Sequence, residues 1–294
     1  MTIQWYPGHM DATRKRLEAA MPATDVVVEL RDARFPHSSA NPLLDALRRG
    51  VAGKGEDGRP GDVPCVTVLT KDDLADPAVT AAWRDELHHR RGTPTLAVNL
   101  GEPKAVKNLP KLIRRQTPRR VEKGLPVRVL VVGIPNVGKS TLVNALRGRA
   151  VAKTGDEPAV TRSDQAVRLG RDLVLTDTPG VLWPRFDDPA VGATLAVGGS
   201  IKDTAVGADE AGPLAAAYLL RRYPERLIER YGVEVGGDAG SAAIESLLEA
   251  IGLKRGCLVA GGAVDTTRAG ALLLRELRGG KLGRVSLEHP GDYK

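Results

Sequence analysis

The sequence predicts an α/β fold: a mostly parallel sheet whose ligand loops come in a permuted order, followed by a small all-helical C-terminal domain. Three observations predict it. Short β-branched apolar runs alternate with helical patterns through the first two thirds of the chain, the pattern of a parallel sheet with crossover helices. A glycine-rich stretch, GIPNVGKS at Gly133–Ser140, lies between one such run and a helical segment. After about Thr204 the strand-like runs largely stop.

The apolar runs are Asp25–Leu30, Pro64–Thr70, Pro94–Asn99, Val127–Gly133 and Asp172–Thr178, and each reads as a strand buried on both faces. Helical patterns fall at Asn41–Arg49, Pro77–Arg91, Lys104–Gln116 and Lys139–Arg147. Pro110 argues against one continuous helix over Lys104–Gln116. Gly50–Asp62, GVAGKGEDGRPGD, reads as a mobile polar insertion. Beyond Thr204, Ile244, Leu247, Leu248 and Ile251 form one helical stripe; Ala269, Leu273 and Leu277 form another that ends at a Gly279–Gly280 cap. The expected division is therefore 1–203, with an N-terminal WYPGHM segment and a linker at 182–203, and 204–294 as the helical domain.

Bulk composition narrows the class. Of 294 residues, 42% are hydrophobic, so a normal core can form; only 3% are aromatic, so it must rest on Leu, Val, Ile and Ala. Cys65 and Cys257 stand far apart in no metal or redox pattern, which argues for a reducing compartment. The N-terminus lacks an apolar signal core and no apolar run is long enough to span a bilayer, so the expectation is a cytoplasmic protein with no membrane partner. The net charge is +7, but residues 204–294 hold 12 basic and 12 acidic residues, so the excess belongs to the first domain. It peaks at Lys104–Arg128, with nine cations against Glu122 alone, a segment that either attracts polyanions or forms a solvated basic face.

The chemistry is carried by loops. Gly133–Ser140 fits GxxxxGK[ST] in full and has the strand-loop-helix context that the motif needs. Its backbone N–H groups and the following helix N-terminus favour phosphate. Asn136, Val137, Gly138, Lys139, Ser140 and Thr141 are the candidate phosphate-lining residues; Lys139 reaches the β- and γ-phosphates of a nucleotide and the Ser140 hydroxyl binds Mg²⁺. Asp177-Thr-Pro-Gly180 ends a strand at the right distance after this loop, so Asp177 is a candidate Mg²⁺ holder and Gly180 N–H a candidate γ-phosphate sensor. Thr161 lies between the two, where a threonine closes over Mg²⁺ and the γ-phosphate as a switch residue. Thr70, Lys71, Asp72 and Asp73 follow another strand in the manner of an NKxD guanine reader. Asp73 accepts from guanine and the Lys71 stem covers the base, while Thr70 replaces the asparagine. That exchange removes an amide at a cost of ~1 kcal/mol for one hydrogen bond.

The base loop precedes the phosphate loop, the reverse of the ordinary order. A sheet does not record chain order, because parallel strands present all their loops at their carboxyl ends. Joining the old termini through Lys104–Arg128 and cutting after DTPG leaves the site intact, and sends the γ-phosphate loop through 182–203 into the helical domain, so that nucleotide state passes to that domain along the chain.

With these motifs in this order, the chain resembles circularly permuted GTPases of the ribosome biogenesis GTPase A family. It shares Trp5-Tyr-Pro-Gly-His-Met10, Asp32-Ala-Arg-Phe-Pro36, Ser38-Ser-Ala-Asn-Pro42, TKDD, GIPNVGKSTLVNAL, PAVTRS, DTPGVLWPRF and Gly280-Lys-Leu-Gly283. The resemblance implies a P-loop GTPase domain, hydrolysis of GTP to GDP with Mg²⁺, and a role in late assembly of the large ribosomal subunit, with ribosomal RNA and proteins of the subunit precursor as partners. It also implies a helical domain that contacts the particle. The expected state off the ribosome is a monomer. Departures are Thr70, Ala159 before the switch threonine, and the last nucleotide loop at Val98-Asn99-Leu100, where Asn99 is the candidate and the usual serine is missing. Val181 occupies the place of the water-orienting glutamine and cannot polarise water. The resemblance brings His9 toward the nucleotide, so the candidate catalytic set is His9, Lys139 and Thr161. In related GTPases without that glutamine, an asparagine placed as Asn136 is helps bind K⁺. A nucleotide-gated RNA-binding module with incidental hydrolysis is the competing function. A small-molecule P-loop kinase is disfavoured by Asp73 and the permuted order.

Overall fold

The computed structural model describes residues 8–49, 62–90, 92–102, 104–147, 165–169, 172–178, 180, 188–201, 206–233 and 239–293; for 8–13, 165–167 and Asp177 it describes the main chain only. Thr161, Ala159, Val181, residues 1–7 (the first three of the WYPGHM segment among them), most of the Gly50–Asp62 insertion and residues 182–187 and 202–203 of the linker lie outside the described residues.

Six strands form one sheet in the order β3-β2-β1-β4-β6-β5, with β1 at Val26–Asp32, β2 at Cys65–Thr70, β3 at Thr95–Val98, β4 at Val127–Gly133, β5 at Gln165–Leu169 and β6 at Leu173–Asp177. Every pairing is parallel except β5 with β6. From β1 the chain steps outward to β2 and β3 through α2 (Pro42–Arg48) and α3 (Pro77–Asp85), then returns through α4 (Leu109–Arg115) and α5 (Pro118–Glu122) to β4 on the other side of β1. The strand order therefore reverses at β1/β4. The phosphate-loop strand is fourth in sequence yet central in the sheet, which is the permuted arrangement.

Several elements differ from the sequence expectation. β1 runs two residues past Leu30. Its buried Glu29 and Arg31 neutralise each other, with Arg31 Nε and Nη2 donating to Glu29 Oε2 at 2.9 and 2.6 Å, and Asn41 N donating to Glu29 Oε1 at 3.2 Å. Charge paired in this way does not end a strand. β3 is only partly buried along most of its length because it lies at the sheet edge. β5 is an unanticipated antiparallel edge strand. Pro110 opens α4 in its first turn, where a missing N–H breaks nothing. A five-residue π-helical turn, Glu86–Arg90, extends α3.

The basic return segment serves in part as structure. Arg114 forks onto Asp172 at 2.6 and 3.0 Å, tying α4 to the start of β6. Arg128 and Arg120 both reach Asp25 at the start of β1. Burial pushes the Asp25 carboxyl up, but these cations outweigh it and hold it below the usual range. Lys104, Lys107, Lys111, Arg115 and Lys123 are exposed.

One sheet face is covered by α1 (Gly8–Ala20) and α2, where Leu17, Met21 and Leu44 pack on Val27, Leu130 and Val132. The other carries Val28, Leu30, Val129 and Val131, and its core runs without a break into the helical part: α7 (Pro189–Val197), α8 (Ala208–Arg222), α9 (Pro224–Tyr231), α10 (Ser241–Arg255) and α11 (Thr266–Arg278). The predicted stripes on α10 and α11 face this core. Within it, Glu276 accepts from Arg230 at 2.9 and 2.8 Å and from the buried Tyr231 hydroxyl at 2.9 Å. No helix among the described residues is long and apolar enough to cross a membrane.

After α11 the chain runs back along the sheet domain. Leu287 N donates to Arg34 O at 2.6 Å, Trp83 Nε1 donates to the Glu288 carbonyl at 3.1 Å, and Tyr293 stacks on His37 at 3.8 Å. The buried Glu288 carboxyl takes the main-chain N–H groups of His37 and Ser38 and the Ser38 hydroxyl. Burial pushes this carboxyl up to about 7, with the Ser38, Tyr293 and His37 donors pulling the other way. Folding thus favours its protonated form. Its contribution is complete below the ordinary glutamate value of 4.5 and is lost as pH rises through about 7. We expect the melting temperature of Glu288→Gln to fall less than that of the unsubstituted protein between about pH 5 and about pH 8. Equal slopes by differential scanning calorimetry would remove Glu288 as the source.

Candidate nucleotide site

The sheet register brings the predicted loops to one edge. Leu30 of β1 pairs with Gly133 of β4, Asp32 with Thr70 of β2, Thr70 with Val98 of β3, and Val131 with Asp177 of β6. The carboxyl ends of five parallel strands thus lie side by side, and the crevice between β1 and β4 is the switch point where open α/β sheets bind ligands.

On the β4 side, the loop enters α6 (Lys139–Arg147), which starts at Lys139. Asn136 adopts a left-handed backbone with φ of 60°, and its amide nitrogen donates to Gly199 O at 3.1 Å. The buried Lys139 ammonium donates to Ile134 O at 2.8 Å, so it is folded over its own loop. Gly180 presses on this loop: a Cβ there would come within 2.7 Å of the Pro135 main chain and 3.0 Å of Lys139 Nζ. The DTPG glycine and the P-loop lysine are therefore neighbours, at a separation that excludes any side chain between them. Thr178 Oγ1 donates to Val131 O at 2.9 Å and pins the strand end beside them. Ser140 and Thr141 fall in the first turn of α6, both partly buried.

On the β2 side, Thr70 is fully buried, and its hydroxyl donates to Val137 O at 2.7 Å and lies 3.2 Å from Arg31 O. The threonine therefore ties the base loop to the phosphate loop, a task the sequence did not disclose. Lys71 takes a left-handed backbone with φ of 58°, and its ammonium pairs with Asp32 Oδ2 at 2.9 Å. Arg34 completes this cluster, with Nε and Nη2 on the two Asp32 oxygens at 2.9 and 2.8 Å, and Nη2 also 3.3 Å from Gly198 O. Burial alone raises the Asp32 carboxyl; Arg34 and Lys71 overcome it and hold it well below the usual carboxylate range. Asp72 is partly buried and Asp73 is exposed. On the β3 side, Asn99 Oδ1 accepts from Gly101 N at 2.9 Å, closing its own turn, while Leu100 lies against Gly138.

The structure thus brings together Thr70, Lys71, Asn136, Val137, Gly138, Lys139 and Gly180 and sets Ser140 and Thr141 beside them. The Asp177 main chain ends β6 at the same edge, and His9 lies in the first turn of α1. The side chains of His9 and Asp177 and all of Thr161 lie outside the described residues. Sequence reasoning missed Asp32 and Arg34 as supports of Lys71. The signal was present in the Asp-Ala-Arg spacing at the end of an apolar strand, where a buried charge needs a near neighbour.

Comparison with known proteins agrees with this geometry. A family model described as a 50S ribosome-binding GTPase matches residues 128–207. Ribosome biogenesis GTPase A of Bacillus cereus is 40% identical over 301 aligned positions, covering 100% of this chain and 96% of that protein. Ribosome biogenesis GTPase A of Thermotoga maritima is 29% identical, covering 99% and 95%. The crystal structure of GNP-bound YlqF from T. maritima superposes with a TM-score of 0.61 at 26% identity, over 94% of this chain and 97% of that one. The GDP-bound structure gives 0.59 at the same identity, over 94% and 100%. With a relative 40% identical along its full length, this chain belongs to the ribosome biogenesis GTPase A family.

Proposed function

We propose that this chain acts late in assembly of the large ribosomal subunit, as a GTPase whose hydrolysis the particle stimulates and whose nucleotide lies across the carboxyl ends of β1, β2, β4 and β6. The chain is a GTP hydrolase of ribosome biogenesis, as its family is. The observation that supports the site is the register that sets the phosphate loop and the TKDD loop on opposite sides of the β1 end, with Gly180 against Lys139.

In this reading the phosphates lie in the N-terminal turn of α6, with backbone N–H groups and the Lys139 ammonium around them. The ammonium exchanges Ile134 O for phosphate oxygens, a swing its long stem allows. Guanine lies between Lys71 and Asp73, with the Lys71 ammonium held by Asp32. Ser140, Asp177 and Thr161 are the proposed Mg²⁺ ligands. Hydroxyl and carboxylate oxygens in small number suit this hard cation, which would offset charge on the nucleotide phosphates. Asn136 has its amide nitrogen committed to Gly199 O, so its amide oxygen is what remains to face a K⁺ beside the phosphates. His9 orients the attacking water in place of the absent glutamine. Exposed Lys104, Lys107, Lys111, Arg115 and Lys123 offer contacts to RNA phosphates. The compartment is the cytoplasm, and the protein is a monomer when free.

Steady-state GTP turnover with and without purified large subunits, at matched salt, tests the central claim. Stimulation is expected; tight GTP binding with no stimulation would favour a nucleotide-gated binding module instead. His9→Ala should keep GTP affinity and lower the stimulated rate by about a hundredfold, and an unchanged rate would remove His9 from the mechanism. Turnover should also be faster in K⁺ than in Na⁺ buffer, while equal rates would exclude the cation beside Asn136.

A further inference from the structure

The C-terminal segment holds the main chain on both sides of Asp73. Arg284 spans two carbonyls of the TKDD loop, with Nε donating to Ala75 O at 2.7 Å and Nη2 to Asp72 O at 2.6 Å. Val285 N donates to Leu74 O at 2.9 Å, and Asp76 N donates to Ser286 Oγ at 3.1 Å. Leu74 lies over Gly280, where a Cβ would stand 2.7 Å from Leu74 Cδ2 and where φ is +70°, so the Gly-Lys-Leu-Gly turn needs glycine at this crossing. Inside the loop, Leu74 N donates to Lys71 O at 3.0 Å and Ala75 N to Asp72 O at 3.3 Å. The carbonyls of Asp72, Leu74 and Ala75 and the N–H of Asp76 are thus fixed by residues about 210 positions downstream. Asp73 is the exposed residue that this framework carries.

From this we infer that Arg284 is a positioning residue for guanine recognition: the C-terminal segment forms the outer support that aims the Asp73 carboxylate at the base. The inference rests on the reading of Asp73 as the base acceptor. The β2 end holds the near side of the loop through Thr70 and Lys71, and Arg284 holds the far side. Its planar fork presents two N–H donors in a fixed geometry that matches both carbonyls, whereas the three donors of an ammonium rotate freely on a flexible stem. A base reader needs such fixing, because a carboxylate that wanders by an ångström loses the geometry its hydrogen bonds require.

GDP and IDP separate this role from simple docking of the tail. IDP lacks the exocyclic amine that an aspartate accepts from, so the ratio of the two affinities reports the aim of Asp73. Calorimetric titration of the full-length protein should show a marked GDP preference, which Asp73→Asn abolishes. Arg284→Ala should reduce the preference about fivefold or more, since one aimed hydrogen bond is at stake. Arg284→Lys, which keeps the charge and the tail packing, should fall between the two and decides the matter if the alanine variant does not fold. Added to Asp73→Asn, Arg284→Ala should have no further effect on the ratio. An unchanged ratio in both Arg284 variants, with Asp73→Asn lowering it, would overturn the inference and leave Arg284 as a dock for the tail. If Asp73→Asn itself leaves the ratio unchanged, the TKDD loop is not the base reader and the inference falls with that reading.

Discussion

Asp32 ends the central strand with a carboxylate that is 1% exposed, and a charge so placed has to be answered at close range. The answer organises the site. Arg34 grips both oxygens and Lys71 takes one of them. The same carboxylate therefore fixes the turn after β1 and the first residue of the base loop after β2. Removing one partner of such a cluster leaves another buried and unpaired, which is why it behaves as a unit rather than as separate bonds. The left-handed backbone at Lys71 belongs to this arrangement, since the residue turns its ammonium back toward the β1 end.

From Asp32 the contacts spread to the junction with the helices. Arg34 reaches Gly198 O, the Asn136 amide reaches Gly199 O, and Arg278 of α11 donates to Ala196 O and Val197 O. The turn after α7 is thus bonded to the β1 end, to the phosphate loop and to the last helix. A shift in any one of these groups has to be accommodated by the others, because the turn offers a separate carbonyl to each. The covalent path through residues 182–203 is consequently not the only connection between the phosphate loop and the helical part.

The loops were legible in the sequence because each carries a motif of fixed residues and spacing at the end of an apolar run. GIPNVGKS, TKDD and DTPG stand at the ends of β4, β2 and β6, where the apolar runs placed them. The helical stripes at Ile244–Ile251 and Ala269–Leu277 were legible for a similar reason, since one face must be buried. What the sequence hid was set by pairing across distance. The predicted strand stopped at Leu30, short of Arg31, because no local rule shows that Arg31 is satisfied by Glu29 inside β1. β5 is five residues long and owes its existence to β6 rather than to its own pattern. Thr70 looked like a lost amide, whereas its hydroxyl is the link to Val137 O. Arg284 lies 212 residues from Asp72, and no local rule connects them.

The permuted order gives these distant pairs a meaning. With the base loop early in the chain and the helical part last, the C-terminal segment is free to return along the sheet and cover the TKDD loop from outside, as Arg284, Val285 and Ser286 do. The helical part then meets the nucleotide edge at two places: at the phosphate side through the turn after α7, and at the base side through the segment after α11. Both contacts consist mainly of hydrogen bonds to main-chain carbonyls, whose geometry is directional and changes with small displacements of the loops. If nucleotide binding alters either loop, it alters the seat of the helical part, and by reciprocity a partner that grips the helical part alters nucleotide affinity by the same factor. The hydrogen bonds to the turn after α7 and from the segment after α11 are the two places where such a coupling would act.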